Sequence, residues 1–137
     1  MKRRADVVVG EELGELRRVV MREDVIAYAD VSGDRNPLHQ DDAFARSVGF
    51  PGVIAHGMFT MGHMAAAVVA WASDPDSVVS VSAQFREPVF LGDTLVAGGR
   101  VRSVDGDTAT LDTWVRLERD GVVGSPVKKG TARVRLA

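Results

Sequence analysis

The sequence contains no cysteine, which excludes a disulfide framework and any thiolate metal site. It also lacks a strong charge of either sign. The formal net charge of −2 argues against non-specific nucleic-acid binding. Long apolar runs are missing as well. The longest, around residues 64–72, is too short to cross a bilayer. No extended apolar segment follows the basic start Met1-Lys2-Arg3-Arg4, so no signal peptide is expected, and the cytoplasm is the expected compartment. No internal repeat, low-complexity stretch or linker interrupts the chain. What is present is ordinary for a soluble globular protein: 137 residues, 45% hydrophobic and 26% charged, sufficient for one domain with a real core.

The order of elements is read from periodicity and punctuation. Residues 7–14 read as an extended arm and a turn, and residues 15–21 as a strand. Residues 22–31 read as a helix, with Glu23 and Asp24 favouring its first turn and Ser32-Gly33 ending it. Asp41 or Asp42 can cap a short helix through Val48, with Gly49 as its stop. Residues 57–72 form the longest helical segment. It has no proline, is rich in Met and Ala, and is apolar almost all round, so it is expected to be buried. It would be roughly 24 Å long, enough to cross a small sheet. Strands follow at 78–85, 94–104, 108–118 and 127–136, with hairpin signals at Asp105-Gly106 and Asp120-Gly121. In the first of these, Val79, Val81, Ala83 and Phe85 should share the apolar face. One long helix with an antiparallel sheet is an α+β layer arrangement, which fits a sheet wrapped around a central helix.

Between the first two helices lies the stretch Ser32-Gly33-Asp34-Arg35-Asn36-Pro37-Leu38-His39. Proline pushes Asn36 out of the helical region and fixes its own φ, while glycine permits φ > 0. The stretch therefore reads as a rigid, kinked loop that presents an acid, an amide and an imidazole. Loops held by a scaffold often carry function. An alternative is that Asp34 and Asn36 merely build an Asx-type turn and His39 packs.

Tyr28-x-x-x-Ser32-Gly33-Asp34-x-Asn36-Pro37-Leu38-His39, followed by Asp41-Asp42 and Ala45, resembles the signature of the MaoC-like (R)-specific enoyl-CoA hydratases and the related (3R)-hydroxyacyl-ACP dehydratases. Two later blocks agree, in the same order: Ile54-Ala55-His56-Gly57-Met58 and Phe85-Arg86-Glu87-Pro88-Val89-Phe90-Leu91-Gly92-Asp93-Thr94-Leu95. The resemblance implies a hotdog fold, a homodimer or a heterodimer with a second hotdog subunit, and reversible hydration of a 2-enoyl thioester carried by CoA or an acyl carrier protein. No cofactor and no metal are expected. The resemblance also implies that Asp34 and His39 form the catalytic dyad and that the Gly57 N–H lines the oxyanion hole.

The chemistry suits those residue types. Hydration needs acid–base groups near Cα and Cβ and donors aimed at the thioester oxygen. Imidazole changes charge near neutral pH. A glycine at a helix start lets an oxygen approach the backbone N–H; the alternative is a glycine needed only for close helix–sheet packing. Asn36, His56, Met58 and Arg86 are candidate substrate contacts. Met58, Met61 and Met64 together read more as core than as a cofactor site, and Tyr28 reads as packing. Arg86, Arg100, Arg102, Lys128 and Lys129 could meet the phosphates of the carrier. His39, His56 and His63 show no recognisable zinc spacing. Two rival functions remain: a hotdog thioesterase, and a non-catalytic subunit of a heterodimeric dehydratase.

Overall fold

The computed structural model describes residues 1–137. It contains strands β1 (Leu16–Val19), β2 (Val78–Phe85), β3 (Thr94–Asp105), β4 (Thr108–Arg119), β5 (Val122–Gly124) and β6 (Val127–Arg135). The helices are α1 (Arg22–Ser32), α2 (Asp42–Ser47) and α3 (Gly57–Ala72). The sheet runs β1-β3-β4-β6-β2, antiparallel throughout, with the short β5 paired to β4. Helix α3 lies against one face and touches all five strands of that order. This is the expected α+β arrangement of a sheet around a long helix. No helix is long and apolar enough to cross a membrane.

Local chemistry sets most boundaries where the sequence placed them. Gly33 adopts φ 77° and its N–H closes α1 on the Ala29 carbonyl. Asp24 accepts the Met21 N–H and pairs with Arg18, whose guanidinium holds that carboxyl below its usual range. The Asp41 carboxylate accepts the Phe44 N–H and so caps α2. In β4, Ala109, Leu111, Thr113, Val115 and Leu117 alternate inward. The four apolar ones, Ala109, Leu111, Val115 and Leu117, pack with Met64, Ala67, Val68 and Trp71 of α3 into two adjoining core clusters. A fully buried side chain such as Leu111 or Met64 contributes roughly 1.5–3 kcal/mol of transfer free energy.

Two expectations need correction. Val79 and Phe85 do not share the buried face: they remain 52% and 50% exposed. β2 is an edge strand: a register shift between Val78 and Ser80 displaces Val79, while Phe85 lies against Gly57 at the start of α3 and stays half exposed because no strand pairs beyond it. Helix α3 is not buried all round either. Gly57, Met58, Gly62, Ala66 and Ala70 follow helical spacing along an exposed stripe, because the sheet covers only the opposite side. Met58 is 53% exposed while Met64 is fully buried, so the methionines do not form one core group. The sequence also hid β5. After the Asp120-Gly121 turn the chain pairs with β4 for three residues, breaks at Ser125-Pro126, and resumes as β6.

Asp93 is the polar hub of the fold. It is 3% exposed, accepts the Phe90 N–H at 2.7 Å, and receives Arg119 through Nε at 2.8 Å and Nη2 at 2.6 Å. The Arg119 guanidinium also lies 4.1 Å over the Phe90 ring. Replacing one partner of a buried charged pair leaves the other uncompensated. Because Arg119 is partly open to water, Asp93→Asn is expected to cost about 1–3 kcal/mol, below the range for fully enclosed pairs. A thermal melt reads this directly. An unchanged melting temperature would reduce Asp93 to a turn residue.

Candidate active site

The loop after α1 is built by successive side-chain-to-backbone bonds. The Asp34 N–H donates to Ser32 Oγ at 3.1 Å, and Asp34 Oδ1 accepts the Asn36 N–H at 3.3 Å. Asn36 Oδ1 then accepts the Leu38 N–H at 3.0 Å, capping a single 3-10 turn over Pro37–His39. Asp34 and Asn36 therefore do build Asx turns. That role leaves chemistry to spare, since the second oxygen of Asp34 has no partner within the chain. Asn36 is exposed, and its carbonyl oxygen is committed to the turn.

His39 is half-buried, and its Nδ1–H donates to the Ile54 carbonyl at 2.7 Å. The carbonyl can only accept, so the neutral ring carries its proton on Nδ1 and keeps a lone pair on Nε2. His56 is 2% exposed, and its Nε2–H donates to the Asp34 carbonyl at 2.8 Å. The two imidazoles stack with centroids 3.8 Å apart and planes 24° apart. Tyr28 packs on His56 at 4.8 Å, and Phe59 meets Tyr28 edge-on at 6.0 Å. One donor or acceptor atom each from Asp34, His39 and His56 lies within 4.8 Å of the other two. No direct hydrogen bond joins the Asp34 carboxylate to His39.

Gly57 opens α3 directly after His56, and neither its N–H nor that of Met58 has an acceptor within the chain. A Cβ at position 57 would meet the Phe85 ring at 3.1 Å, so the glycine also permits close approach to β2. Gly57, Ile54, Thr60, Phe85 and Arg86 border a cavity of about 330 Å³. His39 borders another of about 370 Å³ with Arg22, Ile26, Ala29 and Arg35. The largest cavity, about 640 Å³ around Asp93 and Arg119, holds none of the candidate residues.

Among the candidate phosphate contacts, Arg100 and Arg102 are committed to Glu12 and Asp112, and the latter pairing raises the Arg102 pKa. Arg86 is exposed, has no ion-pair partner, and borders the Gly57 cavity. Lys128 and Lys129 are exposed without ion pairs on β6. His63 lies apart from the other histidines, with its Nε2–H on the Leu16 carbonyl at 2.8 Å. The Asp34–His39–His56 group has metal-ligand chemistry but unfavourable geometry. An ion bound at about 2.0–2.1 Å must lie near the plane of each ligating ring. Stacked, nearly parallel rings do not share such a point.

What the residue pattern left unseen is the reach of His56 across 22 positions to the Asp34 backbone, and of His39 across 15 to Ile54. The only sequence signal was that His56 and Gly57 stand together in one motif block.

The MaoC like domain family matches residues 6–119, and the chain belongs to that family. The chain is similar to the (R)-specific enoyl-CoA hydratase of Aeromonas caviae, 31% identical over 129 residues, covering 91% of this chain and 95% of the relative. The solved (R)-hydratase from A. caviae involved in PHA biosynthesis superposes with a TM-score of 0.83 at 30% identity, covering 96% of this chain and 98% of that one. The 3-hydroxybutyryl-CoA dehydratase of Methylorubrum extorquens is 37% identical over 79 residues, 57% of this chain. The chain spans about half the length of that relative.

Proposed function

We propose that residues 1–137 act as one hotdog hydro-lyase domain, which reversibly hydrates 2-enoyl thioesters to (3R)-3-hydroxyacyl thioesters carried by CoA or an acyl carrier protein. The observation that carries this reading is that an Asp34 carboxylate oxygen and a His39 ring nitrogen lie within 4.8 Å of each other, while one Asp34 oxygen and His39 Nε2 have no partner in the chain. In hydration, His39 Nε2 takes a proton from water while the Asp34 carboxylate holds the water's other hydrogen. The oxygen bonds to Cβ, the electron pair of the double bond moves toward the thioester, and the proton that left the water is delivered to Cα, so that one water adds across the double bond. The negative charge that develops on the thioester oxygen meets the Gly57 N–H at the positive end of α3. Asn36 holds the loop, and Arg86 and Met58 border the path of the carrier and acyl chain.

Incubation of the pure protein with crotonyl-CoA tests the reading. Loss of the conjugated enoyl absorbance is the expected result. Release of free thiol instead would make the protein a thioesterase, and neither signal with CoA or carrier-protein substrates would leave it a non-catalytic subunit.

The reading extends to assembly. The outer edge of β2 is unpaired, with Val79 and Phe85 half exposed on that strand and Met58 exposed on α3. An edge of this kind needs cover. A homodimer that covers it is expected, or a heterodimer with a second hotdog chain. Light scattering at micromolar concentration checks this, and a stable, active monomer would rule it out.

A further inference from the structure

We propose that His56 is a positioning residue that ties the acid–base loop to the oxyanion end of α3; the proposal rests on the hydro-lyase reading above. Three placements meet in this one side chain and its backbone. Its Nε2–H fixes the Asp34 carbonyl at 2.8 Å. Its ring lies 3.8 Å from that of His39 and sets the plane in which the His39 lone pair points. Its own carbonyl accepts the Phe59 N–H at 3.0 Å and the Thr60 N–H at 3.4 Å, which starts α3 so that the next residue, Gly57, presents a free N–H. Loop, base and oxyanion donor thus share one anchor.

The same contacts argue against proton transfer by His56 itself. Its Nε2 proton is held by a carbonyl that cannot take it. Its Nδ1 is buried and has no partner in the chain with which to exchange. Burying an imidazole at 2% exposure with one nitrogen unpartnered is costly, and the cost is not repaid by helix capping, since the side chain makes no cap bond. What the burial secures is orientation. A misplacement of about 1 Å among reacting groups can cost on the order of 10²-fold in rate.

The test separates the ring from the donor. His56→Phe keeps a flat ring against His39 and removes the N–H. His56→Gln keeps an N–H donor and removes the ring. Each should lower kcat for crotonyl-CoA by about 10- to 100-fold with KM changed much less, because the groups that bind substrate are untouched. In a His39→Gln background the same changes should add little, since a residue acting through His39 has nothing left to position. A kcat within twofold of wild type for both folded variants would overturn the proposal. So would a rise in KM alone, which would make His56 a substrate contact. Histidine ¹⁵N shifts of the wild-type protein give a reading that needs neither activity nor a folded variant. His56 held in the Nε2–H tautomer is expected, as its bond to the Asp34 carbonyl requires, and a tautomeric mixture would overturn the anchor. A protein inert toward every thioester but with that single tautomer would refute the hydro-lyase reading and leave the positioning geometry standing.

Discussion

Asp34→Asn and His39→Gln should each lower kcat by about 10²- to 10⁴-fold, the usual range for a positioned acid or base. The structure explains why these substitutions isolate chemistry from folding. Asn at position 34 can still accept the Asn36 N–H that Asp34 Oδ1 accepts now, so the turn survives while the charge and the proton acceptor are lost. Gln at position 39 can still donate toward the Ile54 carbonyl, but it offers no ring nitrogen lone pair to take a proton. Asp34 is exposed and His39 half-buried, outside both core clusters. Substitutions away from a core usually change stability by no more than about 0.5 kcal/mol, so melting temperatures should shift by about 2 °C or less.

The double variant is the stricter check. The two groups have atoms within 4.8 Å of each other and no bond between them. If they act on one water, removing the second after the first should hardly matter, because residues acting as a unit are non-additive. Turnover of a short-chain enoyl-CoA by the wild type, the two single variants and the double variant decides the point. Multiplicative losses would assign Asp34 and His39 to different steps. Activity lost only in step with unfolding would return the loop to its Asx-turn role alone.

The parts of this structure that were legible in the sequence are those fixed by local chemistry. Gly33 ends α1, Asp41 caps α2, and Asp105-Gly106 turns β3 into β4, because φ > 0 and side-chain-to-backbone bonds are satisfied within a few residues. The dyad loop was legible for the same reason, since Asn36-Pro37 dictates its kink. The parts that were not legible depend on partners distant in sequence. Period-two alternation placed Phe85 on an apolar face but could not say that β2 lies at the sheet edge with two register shifts. Asp93 stood in the third motif block with nothing beside it to mark it as buried, and its burial depends on Arg119, 26 residues later. Met58 and Met64 are chemically alike, and only the side of α3 that the sheet covers distinguishes them. His56 was recognised as bordering the site, yet its bond to the Asp34 backbone appears only when α3 and the loop are brought together.

Gly57→Val should lower turnover by on the order of 10²-fold or more, the cost of losing one oxyanion donor, while reducing stability by less. Two causes of such a loss must be told apart, because the structure gives Gly57 two neighbours. Its N–H is free at the start of α3, and a Cβ there would meet three carbons of the Phe85 ring at 3.1–3.2 Å. Phe85 is half exposed on an edge strand, so its ring can yield by the few tenths of an ångström that an added methyl requires. A β-branched side chain in a first helical turn demands more room and crowds whatever approaches the N–H. Phe85→Leu in the Gly57→Val background removes the ring edge while leaving the helix start alone. If Gly57 serves the thioester oxygen, that second change should recover melting temperature without recovering kcat. Recovery of kcat and stability together would show that the glycine is there for packing against β2, and the oxyanion assignment would fall.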